Sequence, residues 1–94
     1  MLFVIEGRDK ANMLDTRLKT RPKHLEYIAS FGDAVLFGGP FLDENEKPTG
    51  SLIIIEAKNL NEAKKIANND PYVNAGLFEH LEVRAWNMVI NNNK

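Results

Sequence analysis

The amino-acid sequence predicts an α+β domain with the element order βαββαβ, a four-stranded antiparallel sheet and both helices on one face of it. Three observations point there. Four short apolar runs, starting near positions 2, 34, 51 and 79, have the length of strands. The intervals between the first and second runs, and between the third and fourth, repeat apolar residues at helical spacing. Right-handed crossovers and pairing of hairpin neighbours convert that order into an antiparallel sheet with helices on one side.

Leu2 to Glu6 reads as the first strand. Leu2 and Val4 point one way and Phe3 and Ile5 the other, so both faces are apolar. From Met13 to Phe31, the residues Leu14, Leu18, Leu25, Ile28 and Gly32 form a helical stripe with Ala29 beside it. Pro22 lies inside this stretch, removes a backbone donor and crowds the preceding turn. It predicts a kink, or two short helices meeting near Thr20 and Arg21. Gly32 suits the helix end. Ala34 to Phe37 is a short second strand stopped by Gly38, Gly39 and Pro40, and polar Asp43 to Thr49 is the connecting loop. Ser51 to Ala57 is the third strand, and its Leu52 to Ile55 run leaves neither face polar.

Asn59, three residues before Glu62, resembles a capping box that opens the second helix, with Leu60, Ala63, Ile66 and Ala67 as its apolar face. Asp70 and Pro71 break that helix and start a further short turn, capped by Asp70 and ended by Gly76. Glu79 to Ile90 is the fourth strand, alternating Leu81, Val83, Ala85, Asn87 and Val89 with Glu82, Arg84, Trp86, Met88 and Ile90. A sheet with one wet face alternates apolar and polar residues. The first and third strands do not, so a second copy packed sheet to sheet is the simplest cover, which predicts a homodimer. Against this, apolar runs of four or five residues occur often without such a meaning.

The chain has 94 residues, the length of one domain, read here as 1–90 with a polar tail at 91–94. Its core is thin, so a second subunit would add to it. With 44% hydrophobic and 27% charged residues the composition is globular. A net charge of −1 gives no reason to expect nucleic acid or an anionic membrane as partner. No apolar stretch approaches the roughly 20 residues of a membrane span, and the start lacks the pattern of a signal peptide. The absence of cysteine excludes disulfides and thiolate metal sites and fits a reducing cytoplasm.

No phosphate loop, His-x-x-x-His pair or nucleophile elbow occurs. With two histidines, His24 and His80, a bound catalytic metal is disfavoured and none is expected. His24 flanks the apolar stripe of the first helix and has two readings, a packed structural residue or an acid–base group. Arg17, Arg21 and His24 share one side of that helix, either as a solvated basic face or as a rim that attracts an anionic small molecule. Asp70 is a helix cap on one reading and the partner that orients a histidine on the other. Tyr72 can donate a hydrogen bond or wall a pocket. Gly38 and Gly39 allow close approach of backbone to a ligand, or simply make a turn. His80 reads as a sheet or interface residue.

Together, Leu2 to Ile5, Arg21-Pro22-Lys23-His24-Leu25, Gly38-Gly39-Pro40, Asn69-Asp70-Pro71-Tyr72, Ala75-Gly76 and Glu79-His80 resemble the YciI-like (YCII-related) family over nearly the whole chain. That resemblance implies a ferredoxin-like fold that dimerises into an α+β barrel. It also implies an active site around a histidine and an aspartate, which map onto His24 and Asp70. The family is similar to a group that includes an enzyme removing chloride from a hydroxylated aromatic ring, but a shared fold and His–Asp pair do not fix a substrate.

Three readings of function follow. In the first, the protein is a cofactor-independent enzyme acting on a small anionic or phenolic molecule by elimination or isomerisation. His24 is then the acid or base, Asp70 fixes its tautomer, Arg21 or Arg8 pairs with substrate charge, and Tyr72, Gly38 and Gly39 contact the substrate. In the second, the same pocket of a dimer binds a metabolite without converting it and serves regulation. In the third, the dimer is purely structural, with His24 and Asp70 as packing and capping residues.

Overall fold

Strand β1 (Leu2–Asp9) is followed by helix α1 (Leu14–Ala29), a 3₁₀ turn (Gly32–Ala34), strands β2 (Val35–Leu42) and β3 (Pro48–Glu56), helices α2 (Leu60–Asn68) and α3 (Pro71–Asn74), and strand β4 (Phe78–Trp86). This is the expected βαββαβ order with the short third helix placed at the predicted Asp70–Pro71 break. The computed structural model describes residues 1–92. Of the predicted polar tail, Asn91 and Asn92 carry no regular structure, and Asn93 and Lys94 lie outside the described residues.

The strands pair antiparallel in the order β2-β3-β1-β4. Opposed residues share a face, so Phe3 and Ile55, Ile5 and Ile53, and Ile5 and Val83 pair on the same side. That side is the core: Phe3, Ile5, Ile53 and Ile55 are buried against Ala63 and Ala67 of α2, with Ile28 of α1 packed at its edge. Two alanines one turn apart let α2 approach the sheet closely. Its predicted apolar face is realised except at Leu60, which is 39% exposed. Asn59 caps α2 through its Oδ1, which accepts from Glu62 N at 2.9 Å, while Glu62 reaches back to Lys58 N. The opposite side of the sheet carries Val4, Leu52 and Ile54, only partly buried, with Arg84 and Trp86 beside them around a shallow depression. The two-faced apolar sheet is thus a feature of the fold.

Several expectations about the elements are corrected. Strand β1 runs to Asp9 because it pairs with β4 along its length, through a bulge between Arg8 and Asp9. Helix α1 passes through Pro22 without a break. Pro22 removes only the hydrogen bond that would reach the Leu18 carbonyl, and α1 is anchored on both sides of it by buried Arg17 and His24. The predicted stripe residues Leu18 and Leu25 are 48% and 52% exposed and do not face the core. Strand β2 continues through Gly38, Gly39 and Pro40 to Leu42, because it is an edge strand, where a residue without N–H is tolerated. Strand β3 starts at Pro48, so the loop narrows to a turn in which Asp43 Oδ1 accepts from Asn45 N and Lys47 N. Strand β4 stops at Trp86, four residues short of the expected Ile90, because Trp86 pairs with Leu2 and β1 offers nothing further. Among the described residues, no helix is long and apolar enough to cross a membrane.

Candidate active site

Asp70 sits where two local requirements meet. Pro71 starts α3 with its φ preset for helix, which leaves Asp70 as the cap residue, and its Oδ1 accepts from Tyr72 N at 2.9 Å. The same carboxylate faces His24 of α1: Nδ1 lies 2.9 Å from Oδ1 and 2.8 Å from Oδ2. Both side chains are buried. A carboxylate accepts only, so Nδ1 of His24 carries the hydrogen and donates it. In the neutral ring this leaves Nε2 unprotonated, with its lone pair available. The capping and histidine-orienting readings of Asp70 therefore hold together.

A second buried ion pair lies beside the first. Arg17 Nε donates to Asp9 Oδ2 at 2.6 Å, and its Nη2 donates to Asp9 Oδ1 at 3.0 Å and to Ser51 Oγ at 2.8 Å. Arg17 and Asp9 keep 4% and 7% of their side-chain exposure, so this is a core pair. Tyr72 lies between the two centres. The His24 ring stacks on it at 4.1 Å and 19°, the Arg17 guanidinium carbon is 4.6 Å from its centroid, and Phe78 packs edge-on at 5.9 Å. Arg17 and His24 stand two turns apart on α1, and both pack against this ring. Burial pushes the Tyr72 phenol above its usual 10.0, against the pull of Arg17 and Arg21 and with the push of Asp70 and Asp9. The phenol thus remains a protonated donor at neutral pH. Burial likewise raises Tyr27, with Asp70 adding to the shift, and its hydroxyl donates to the Ile66 carbonyl at 2.7 Å.

Of these groups, Arg17, His24, Ser51 and Tyr72 line a cavity of about 480 Å³, a size suited to a small molecule. Leu18, Leu25, Val35, Leu36 and Phe37 supply apolar wall, and Glu46 and Pro48 of the hairpin stand at one side. The cavity brings together His24, Arg21, Tyr72, Gly38 and Gly39 of the residues expected from the sequence, with Asp70 behind His24. Arg8 does not join them. It is exposed and pairs in register with Gly50 and His80, on the face away from Phe3 and Ile5. Asp9, one residue on, points to the cavity side, and the strand alternation carried that signal. Arg17 belonged to the expected basic rim but is buried, and Ser51 had no signal beyond its place at the start of β3. Among the described residues, no group of three or more His, Asp or Glu side chains is placed to hold a metal ion.

Comparison with known proteins fits this geometry. The family model of the YCII-related domain matches residues 1–87. The chain is 39% identical to protein YciI of Escherichia coli O6:H1, over 95% of this chain and 99% of that protein. It is similar in structure to 5-chloro-2-hydroxyhydroquinone dehydrochlorinase (TftG) of Burkholderia phenoliruptrix, solved in complex with 2,5-dihydroxybenzoquinone. The TM-score is 0.86 at 33% identity, covering 93% of this chain and 94% of that one. A likeness of fold extends to an antibiotic biosynthesis monooxygenase-type protein of Bacteroides thetaiotaomicron, with TM-score 0.60 at 15% identity, covering 100% and 93%.

Proposed function

The chain belongs to the YCII-related domain family, and we propose that it is a cofactor-independent enzyme that eliminates a small leaving group from an oxygenated, anionic or phenolic ring. One observation carries this reading: His24 presents Nε2 at the wall of a ligand-sized cavity while Asp70 holds the proton on Nδ1. That is the arrangement of a general base whose tautomer is fixed from behind. Similarity to a dehydrochlorinase over nearly the full length supports the same chemistry. In the step, the chlorine-bearing ring carbon takes a proton as the adjacent phenol loses one, which gives the keto tautomer. A second phenol then passes its proton to Nε2, its O–H pair becomes a C=O bond, and the ring double bond shifts to the chlorine-bearing carbon, leaving a quinone. The pair of the breaking carbon–chlorine bond departs with chloride. Loss of HCl is redox-neutral, so the step balances without an electron carrier. Asp70 stabilises the imidazolium that forms, and Tyr72 donates to a substrate oxygen.

The enzyme is proposed to work as a homodimer, with the Val4, Leu52 and Ile54 face of each sheet covered by its partner. The test is chloride release from 5-chloro-2-hydroxyhydroquinone. His24→Ala is expected to fold and to lose about 10²–10⁴-fold in rate. A folded His24→Ala that retains the wild-type rate, or binding of the compound without any turnover, would remove the catalytic reading.

A further inference from the structure

Ser51 lies in β3 with its side chain on the cavity face. Its register neighbours across the sheet are Pro40 on β2 and Gly7 on β1, and neither carries a polar side chain. The space beside Gly7 is filled by the Phe78 ring, whose Cε1 lies 2.6 Å from where a Cβ would stand. Ser51 is 7% exposed and lines the cavity, so the exposure it keeps is toward the ligand space. Its Oγ accepts from Arg17 Nη2 at 2.8 Å. A hydroxyl has one hydrogen to give as well as lone pairs that accept, and among the described residues no oxygen of the protein takes the Ser51 hydrogen.

Arg17 is itself fixed, because Asp9 accepts from Nε at 2.6 Å and from Nη2 at 3.0 Å. The Ser51 oxygen is thus held from behind by a buried cation, and its hydrogen is left to turn to the cavity. A hydroxyl that accepts from an ionised donor is polarised into a stronger donor. Asp9 balances the charge of Arg17, so the wall offers a polarised O–H and not a bare cation. That suits an oxygen whose negative charge develops during the reaction and is shared with a ring. We propose that Ser51 donates a hydrogen bond to a ring oxygen of the substrate and stabilises the negative charge that gathers there when the phenolic proton leaves. Ser51 is a donor separate from Tyr72, and Arg17, which touches both, is its positioning residue. Water can take this bond in solution, so a ligand that displaces the water has to supply an acceptor. The inference deepens the acid–base reading of His24 and rests on it for the reaction alone; the hydrogen bond is a separate claim about binding.

The probe is 4-nitrophenol, whose absorbance separates phenol from phenolate. A donor facing its oxygen favours the phenolate. Ser51→Ala should therefore raise the pH at which the bound probe ionises by at least about one unit, the effect of one charge-assisted hydrogen bond. Ser51→Thr keeps the hydroxyl and should stay near the wild-type value. No binding to the wild type, the same ionisation in the wild type and a folded Ser51→Ala, or a threonine variant shifted as far as alanine overturns the proposal. Ser51→Cys puts a weak donor of similar shape in place and should shift in the same direction. It decides the matter if Ser51→Ala fails to fold, and an unshifted value then overturns the proposal. In turnover, Ser51→Ala should lower kcat for chloride release by about 10²–10³-fold, the loss expected from one donor to a developing oxyanion, with KM changed far less. An unchanged kcat, or a loss confined to KM, overturns the role in the reaction. The two readings fail separately. A Ser51-dependent ionisation shift without chloride release keeps the hydrogen bond and removes the catalytic reading. Release that depends on His24 but not on Ser51 does the reverse.

Discussion

Replacing Asp70 with asparagine removes a charge but leaves an oxygen of similar reach in place. The carboxylate makes one bond to Tyr72 N at 2.9 Å and a shared bond to His24 Nδ1 at 2.8–2.9 Å. Asparagine caps a helix about as well as aspartate, so α3 survives. The contact to His24 loses its charge assistance, which costs about 1–1.5 kcal/mol of stability. Alanine removes the cap as well, about 1 kcal/mol, and leaves the buried Nδ1–H without a partner, for a total of about 2–4 kcal/mol. Activity should not follow that ranking. An asparagine amide can offer N–H to Nδ1 and move the ring proton to Nε2, which removes the base. In hydrolase triads the equivalent change costs about 10⁴ in kcat, so both variants should lose roughly 10³–10⁴-fold. Denaturant midpoints and chloride-release rates of the two variants, measured side by side, check this. An Asp70→Asn enzyme within about 10-fold of wild type would refute the tautomer argument, and an alanine variant as stable as the asparagine one would refute the cap.

Three further outcomes are expected. A Cβ at Gly38 would meet Ile53 Cγ1 at 3.5 Å and the Leu52 carbonyl oxygen at 3.7 Å, both ordinary contacts, while projecting beside the cavity. Gly38→Val should therefore leave the melting temperature nearly unchanged and raise KM by about 10-fold or more; an unchanged KM contradicts the assigned pocket. The chain has two tyrosines, and both are raised above 10.0 chiefly by burial. Their neutral forms are favoured in the folded state, so this stabilisation is complete below the unfolded pKa and is lost as pH rises through the higher folded values. Tyrosinate absorbance should appear at higher pH in the native protein than in denaturant, and earlier ionisation in the native protein contradicts it. Ile54→Lys places a charge in the centre of the uncovered sheet face and should weaken dimerisation by at least about 100-fold. Sedimentation equilibrium would detect the change, and an equally tight dimer would refute sheet-to-sheet packing.

Local chemistry made much of this fold legible. Proline after aspartate at 70–71 announced both the short helix and its cap, and unbroken apolar runs announced a sheet that is apolar on both faces. The errors arose where a residue's role depends on a neighbour far away in sequence. Pro22 carries a strong local signal for a break, but Arg17 and His24, buried on either side of it, hold α1 straight through. Val89 and Ile90 alternate like strand residues, yet Trp86 already pairs with the first residue of β1, leaving them no ladder to join and 82% and 78% exposed. Gly38 to Pro40 read as a stop because nothing local tells that β2 is an edge.

The candidate site divides in the same way. His24 and Asp70 were legible as a pair through the family resemblance, but their contact spans 46 residues and no spacing rule supplies it. The i, i+7 relation of Arg17 to His24 placed both on one side of the helix, but not in the core. Burial of Arg17 depends on Asp9, and Asp9 reaches it only because β1 extends four residues beyond its apolar run.

The state of the His24 ring tests the account most directly. Two-dimensional ¹⁵N–¹H correlation of the imidazole, recorded where the ring is neutral, distinguishes a protonated Nδ1 from a protonated Nε2. The Asp70 geometry requires the hydrogen on Nδ1, with Nε2 showing the shift of an unprotonated nitrogen, and requires that pattern to be lost in Asp70→Asn. A neutral ring carrying its hydrogen on Nε2 in the wild type would leave no base facing the cavity and would contradict the proposed function.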